Sequence, residues 1–317
     1  MRKQLLVLTL ITLTYSACSE PEPEPVAITP GLSAFVGAQL ITGDGNLIEN
    51  GSILVRDGRI ESVGATDAVS IPPDAAIVDL SGKTVTPGLI NAHGHVNNVR
   101  GMESDPSFYT ENWIRYQLGL YARYGVTTVV SLGGDGPEGV AVRNSEDLHL
   151  DIARLRVAGP VIVAESAEQA TERVDAAAEM DVDYIKIRVD DNLGSSEKMR
   201  PEIYQAVIDA AHARDLKLTA HLYYLEDAKG LLNAGADFVA HSVRDEDVDS
   251  ELIDLLLNND VCVCPTLMRE VSTFVYEERP SWFDDPFFLR EADPQVVAAL
   301  EAPEYQERIQ GSSSAQT

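Results

Sequence analysis

The sequence predicts an α/β protein: an incomplete (β/α)8 barrel of about seven strands behind a small N-terminal β-sandwich module. Three observations lead there. From Val85 onward, short β-branched runs alternate with helix-period stretches, the rhythm of βα units on a parallel sheet. Residues 34–84 instead carry closely spaced strand and turn signals. Four of the six histidines, His93, His95, His221 and His241, fall at predicted strand ends, which is where such barrels carry their chemistry.

The first 33 residues are read as an address and a tether, outside the fold. Arg2 and Lys3 precede an apolar run from Leu5 to Leu13, too short to span a bilayer as a stable anchor. Residues 1–17 are therefore expected to be a signal peptide. Ser16-Ala17-Cys18 resembles the bacterial lipobox, in which the new N-terminal cysteine is lipidated, although Tyr15 stands where leucine is usual. An ordinary signal peptide cut elsewhere is the alternative. Residues 18–33, opening Cys18-Ser19-Glu20-Pro21-Glu22-Pro23, cannot pack a core and read as a charged, extended tether. The expected location is the bacterial cell envelope, on the periplasmic or outer-membrane face, with the lipid as the sole membrane contact.

The β module spans residues 34–84. Ala34 to Ile41 is a strand, and Thr42 to Asn46 a turn. Asp57-Gly58 sits between Gly51–Arg56 and Arg59–Gly64, a hairpin signature. Ala76 to Leu80 is a further strand, turned by Ser81-Gly82.

Residues 85–317 form the barrel part. Its strands are Val85–His95, Gly125–Leu132, Val157–Val163, Val182–Arg188, Leu216–His221, Asp237–His241 and Val261–Leu267. Between them lie helices Ala167–Met180, capped by Ser166, Pro201–Asp215, Leu225–Ala234, closed by Gly235, and Asp249–Asn259. After Leu267 the chain turns acidic, aromatic and Pro-rich, without a further strand signal. Asp284, Asp285 and Asp293 lie in this irregular segment and receive no catalytic role.

A net charge of −27 speaks against a nucleic-acid surface, which needs a basic face. Cys262 and Cys264, at i and i+2, are too poorly placed for an easy disulfide and read as buried strand thiols.

His93-Gly94-His95 projects two imidazoles from one strand end, half of a metal site. Alone, such a pair is as often structural. Lys186 lies inside a strand, where an ammonium is expensive to bury; an ion pair with a carboxylate is the bland explanation. His149 reads as a surface residue and His212, on a helix away from strand ends, as structural. Tyr223 and Tyr224 follow His221 in a βα loop and suit substrate contact or core packing equally. Gly133-Gly134-Asp135-Gly136 lacks the spacing of a phosphate loop and reads as a loop on the substrate side.

Taken together, Val55–Ile60 with Val63-Gly64, Asp79–Lys83, Pro87–His95, Tyr184–Lys186, Thr219–His221 and Val239–Ser242 resemble the amidohydrolase superfamily over residues 34 to about 270. The pattern is most similar to the imidazolonepropionase-like and Xaa-Pro dipeptidase-like members. The resemblance implies two divalent metal ions, with zinc suited best. His93 and His95 would hold one ion, His221 and His241 the other, and Lys186 would bridge them as a carbamate. It implies a hydroxide generated at the metals that hydrolyses C–N bonds of amides, cyclic amides or dipeptide-like substrates. Ester or phosphotriester hydrolysis on the same site is an alternative. The family's carboxylate at the end of strand eight has no counterpart after Leu267. The chain is thus expected to be a fragment or a natural truncation, and a catalytically inactive metal-binding lipoprotein is the rival from outside the enzymes. Oligomeric state is left open.

Overall fold

The computed structural model describes residues 31–145, 151–192, 194–272 and 274–311. The expected signal peptide, Cys18, nearly all of the tether and His149 lie outside the described residues. Leu32 and Ser33, assigned to the tether, belong instead to the first strand.

The described residues divide into two compact units, one ending at Pro87 and one beginning at Gly88. The first holds β1 (Leu32–Ile41), β2 (Leu47–Arg56), β3 (Arg59–Ala65), β4 (Ala76–Asp79) and β5 (Thr84–Val85). β2 and β3 form the expected hairpin. Asp57 and Gly58 both take positive φ, 48° and 76°, the two-residue turn whose twist matches the flanking strands. The expectation of a sandwich is corrected here. The strands lie in one mixed sheet, ordered β3-β2-β1-β4 with β5 also on β1. β4 and β5 pair successive stretches of the same strand edge, so among the described residues no strand of this unit is left over for a second layer. The core of this unit is small: Ala34, Leu54 and Val69.

The second unit continues with β6 (Leu89–Gly94) and a short hairpin of β7 (Val99–Arg100) and β8 (Glu103–Ser104). Then follow α1 (Glu111–Arg123), β9 (Val126–Ser131), α2 (Pro137–Arg143), β10 (Arg154–Val157), β11 (Val161–Ile162) and α3 (Ala167–Glu179). β12 (Tyr184–Arg188), α4 (Pro201–His212), β13 (Lys217–His221), α5 (Leu225–Ala234), β14 (Phe238–Ala240), α6 (Ser250–Asn258) and β15 (Cys262–Cys264) complete the repeating part. Short helices α7 (Leu267–Ser272), α8 (Pro286–Leu289), α9 (Pro294–Glu301) and α10 (Pro303–Gln310) end it.

The strands of the repeating part are parallel and ordered as in the chain, as β6-β9-β10 and β11-β12-β13-β14-β15. The third predicted strand, Val157–Val163, is two pieces. Gly159 takes φ +68° and Pro160 has no N–H to donate, so the ladder is interrupted. β10 pairs with β9, and β11 pairs with β12. Among the described residues the array does not close into a barrel.

Helix ends obey their caps. Ser166 accepts from Gln169 N at 3.2 Å, and Gly235 ends α5 with φ +96°. α4 stops at His212, three residues short of the expected end, and Asp215 takes φ +57°. The segment after Leu267, expected to be irregular, contains short helices. Asp285 and Asp293 serve as their N-caps, and Asp284 pairs with Arg279 at 2.6 Å. Cys262 and Cys264 are free thiols, but Cys262 is exposed rather than buried, because β15 is the edge of its sheet.

The main core lies between β12, β13 and helices α3–α5. Ile185, Ile187, Leu218, Val207 and Leu231 are all fully buried. Burial of each such side chain contributes about 1.5–3 kcal/mol. Strand alternation turns Ile185 and Ile187 into this core and leaves Lys186 between them on the opposite face.

Candidate functional site

The strand ends gather the histidines. His93 is the second-last residue of β6, His95 lies one residue past it, His221 at the end of β13 and His241 one residue past β14. Ring centroids are 5.4 Å apart for His93–His95, 4.6 Å for His93–His241 and 4.2 Å for His221–His241. Lys186 lies at this cluster on β12, only 2% exposed, and its charge acts on His93, His95 and His241.

Burial dominates the electrostatics. It pushes the imidazolium of His93 down to about 3 and of His241 to about 2, with the neighbouring Lys186 and histidines adding to the fall. His95 is lowered for the same first cause, although its bond to Gly133 opposes the shift. All three rings are therefore neutral near pH 7, and each keeps one nitrogen lone pair. Burial also lowers the Lys186 ammonium to about 7, against the opposing pull of Cys264 and Asp190. Nζ of Lys186 and Nδ1 of His241 are buried with no hydrogen-bond partner among the described residues.

Neighbouring oxygens orient the rings. A carbonyl only accepts, so His95 Nδ1 donates its hydrogen to Gly133 O at 3.0 Å, and the lone pair resides on Nε2. His93 Nδ1 lies 2.9 Å from Thr266 Oγ1. His221 Nε2 lies 3.0 Å from Asp190 Oδ2. Asp190 is buried, which by itself would raise its carboxyl; the close approach of His221 and the hydrogen bond from Asn192 N, at 2.9 Å, outweigh this and hold it below the usual range.

The loop after β9, expected on the substrate side, works as scaffold in the structure. Asp135 is 3% exposed. It accepts from Ser131 Oγ at 2.5 Å and Ala158 N at 3.0 Å, and Ser131 Oγ accepts from Val96 N at 3.2 Å. Burial pushes the Asp135 carboxyl up to about 6 despite these bonds.

Among the described residues, no three His, Cys, Asp or Glu side chains form a finished cage for an ion. The donor set nonetheless fits a divalent cation: neutral buried imidazoles, His95 among them with its lone pair fixed on Nε2, beside a buried amine that has no partner of its own.

The structure thus brings together His93, His95, Lys186, His221 and His241. Tyr224 is engaged elsewhere: its hydroxyl donates to Asp191 at 2.8 Å, and Lys198 Nζ lies 3.4 Å from its ring centroid. Tyr223 packs against Tyr224 and beneath Arg244, whose guanidinium carbon is 4.7 Å from its ring centroid. His212 pairs with Asp237 at 2.9 Å, away from the cluster. Sequence reasoning passed over Asp190 and Thr266, and named Asp135 only as part of a substrate-side loop. Asp190 had a readable signal, an acidic residue just beyond the strand that bears Lys186. Thr266 had none, because its role depends on its backbone angle.

No family model matches the chain. An enamidase of Eubacterium barkeri is 26% identical over 196 residues, 58% of this chain and 47% of that protein. An imidazolonepropionase of Geobacillus sp. (strain WCH70) is 43% identical over 65 residues, 19% of this chain and 15% of that protein. The chain spans about half the length of the curated relatives it matches. Among solved structures, a Xaa-Pro dipeptidase with bound methionine in its active site superposes with a TM-score of 0.68 at 20% identity. The match covers 88% of this chain and 75% of that one.

Proposed function

We propose that this chain, a member of the amidohydrolase superfamily, carries the metal centre of a hydrolase that cleaves C–N bonds on a (β/α)8-type barrel. The observation that carries the reading is the clustering of His93, His95, His221 and His241 around the buried, unpartnered amine of Lys186. The relatives named enamidase and imidazolonepropionase support the bond class. Amides, cyclic amides or dipeptide-like molecules are the substrates we propose.

His93 and His95 would hold one divalent ion, His221 and His241 a second, with zinc best suited to imidazole and carboxylate donors. When bound, the ions supply Lewis acidity that activates water and polarises the scissile carbonyl. Lys186 would give the bridge. Its amine is about half neutral near pH 7, and the neutral form has a lone pair free to add to the carbon of CO2. An N–C bond would form as one C–O π bond of CO2 opens onto its oxygen, one proton would pass from the nitrogen to water, and the side chain would become an anionic carbamate with two oxygens. Burial of that anion among cation ligands resolves the cost that a lone ammonium would have there. The Gly133 carbonyl keeps His95 facing inward in one tautomer.

Export and lipid anchoring at Cys18 are part of the same proposal, supported by the lipobox-like Ser16-Ala17-Cys18 and the Pro/Glu-rich residues after it. Among the described residues no helix is long and apolar enough to cross a membrane. Cys18→Ser should move the protein from the membrane fraction to the soluble one.

The test of the centre is Lys186→Ala. Metal content by elemental analysis should fall from about two equivalents, and hydrolysis of an N-acyl amino acid and dipeptide panel should drop with it. Added formate or acetate should restore part of the rate. Full stoichiometry and full rate in Lys186→Ala would sink the carbamate bridge, and bound zinc without turnover in the wild-type chain would sink the enzyme claim.

A further inference from the structure

We propose that Thr266 is a positioning residue for His93: its hydroxyl fixes the tautomer that carries hydrogen on Nδ1 and turns the Nε2 lone pair to a metal ion. The metal half of this statement rests on the metal-centre reading above; the tautomer half stands on geometry alone.

The hydroxyl of Thr266 has one hydrogen. It donates that hydrogen to Cys264 O at 3.1 Å. Toward His93 Nδ1, at 2.9 Å, it therefore offers a lone pair. Nδ1 must then be the N–H, and in a neutral ring the remaining lone pair is on Nε2. The same conclusion holds for His95, whose Nδ1 donates to the Gly133 carbonyl. Two rings on one strand end thus present the same nitrogen, one set by a backbone carbonyl and one by a side-chain hydroxyl.

The backbone at Thr266 is in the left-handed region, with φ +53°. A β-branched residue is strained there, whereas glycine is not. A turn alone would be satisfied by glycine or asparagine; the threonine keeps the strain and adds a hydroxyl. Thr266 O also accepts from Arg269 N at 2.9 Å, which starts α7. Cys264 O, which receives the Thr266 hydrogen, accepts His241 N–H at 2.9 Å as well. One carbonyl at the end of β15 thereby ties the backbone of His241 to the hydroxyl that holds His93, and those two rings are 4.6 Å apart. Strained backbone that persists at a cluster of ligating side chains is where function is expected to reside.

Three variants separate the hydroxyl from the turn. Thr266→Ser keeps the hydroxyl, Thr266→Val keeps the shape and the strain without it, and Thr266→Gly removes both. Two readouts apply to the full chain. The first is the His93 tautomer in metal-free protein, from nitrogen-15 long-range correlation spectra. Wild type and Thr266→Ser should show Nδ1–H, and Thr266→Val and Thr266→Gly should show Nε2–H or a mixture. The second is zinc affinity by chelator competition, expected to weaken about 10–100-fold in Thr266→Val and Thr266→Gly and to stay near wild type in Thr266→Ser. Thr266→Gly should unfold no earlier on heating than wild type, so a merely structural role would not predict its loss of zinc. Wild-type tautomer and zinc affinity in Thr266→Gly and Thr266→Val would overturn the proposal; should Thr266→Val fail to fold, Thr266→Gly against Thr266→Ser decides it. A wild-type chain with the Nδ1–H tautomer, lost in the variants, but with no zinc uptake would overturn the metal-centre reading and leave the hydroxyl's hold on His93 standing.

Discussion

His93 and His95, on one side of the cluster, are held by uncharged oxygens: the Thr266 hydroxyl and the Gly133 carbonyl. His221, on the other, faces the buried carboxylate of Asp190 at 3.0 Å. The difference is chemical. A hydroxyl or carbonyl selects a tautomer and leaves the ring's charge alone. A carboxylate can select a tautomer and also places a full negative charge beside the ring. The two halves of the site are thus oriented by different forces, and they should respond differently to charge removal and to loss of a supporting hydroxyl.

Acid should have the largest effect, since it acts on what the halves share, neutral buried rings. His93 and His241 are depressed from an ordinary value near 6.5 to about 3 and about 2. In the unfolded chain both take up protons as pH falls below about 6.5, while in the folded chain they do not until about pH 3. The unfolded state then binds more protons, so metal-free stability falls as pH drops through that window, by about 1.4 kcal/mol per pH unit for each ring at most. Asp135 works in the opposite sense. Its raised carboxyl, about 6, takes up a proton in the folded state first, which favours folding between about pH 6 and 3.8. Urea unfolding of the metal-free chain at pH 7, 6, 5 and 4 should give a declining midpoint. His241→Asn should flatten the decline, and a midpoint independent of pH would show that these rings are not buried neutral.

Removal of charge comes next and should separate the halves. Asp190→Asn keeps size and a hydrogen-bond acceptor but removes the charge beside His221. Zinc affinity should weaken about 10–100-fold, and the loss should fall on one of the two steps in a titration if the halves bind separate ions. Equal loss in both steps would mean that the site acts as one unit and that the division into halves is wrong.

Much of this site was legible before any coordinates. His93, His95, Lys186, His221 and His241 were picked because strand ends are readable from periodicity and the chain order of parallel strands is constrained. They are neighbours in the fold. Helix caps such as Ser166 were legible for the same local reason. What orients the rings was not. The Gly133 carbonyl belongs to the backbone, which has no sequence identity, and Thr266 matters through a φ of +53° that nothing in Cys264-Pro265-Thr266 announces. The break at Gly159-Pro160 was visible as residues but not as a boundary between two ladders. Helix α1 was missed because its buried face is narrow, chiefly Ile114 and Leu118.

Ser131→Ala should have the smallest effect on the metal ligands, and it sharpens the contrast between side-chain and backbone control. Ser131 Oγ donates to Asp135 and accepts from Val96 N, one residue past His95. Alanine leaves both groups buried and short of a partner, at a cost of about 1–3 kcal/mol in stability. The Asp135 carboxyl, already pushed up to about 6 by burial, should rise further, because the bond from Ser131 is the leading influence that lowers it. Carbon-13 spectra of the labelled carboxylate would follow this shift. Zinc affinity should barely move, since the atom that orients His95 is the Gly133 carbonyl, and it survives the substitution. A large loss of zinc in Ser131→Ala, with the fold intact, would mean that the loop from Gly133 to Gly136 depends on this hydroxyl, and that the His95 side is controlled by side chains after all.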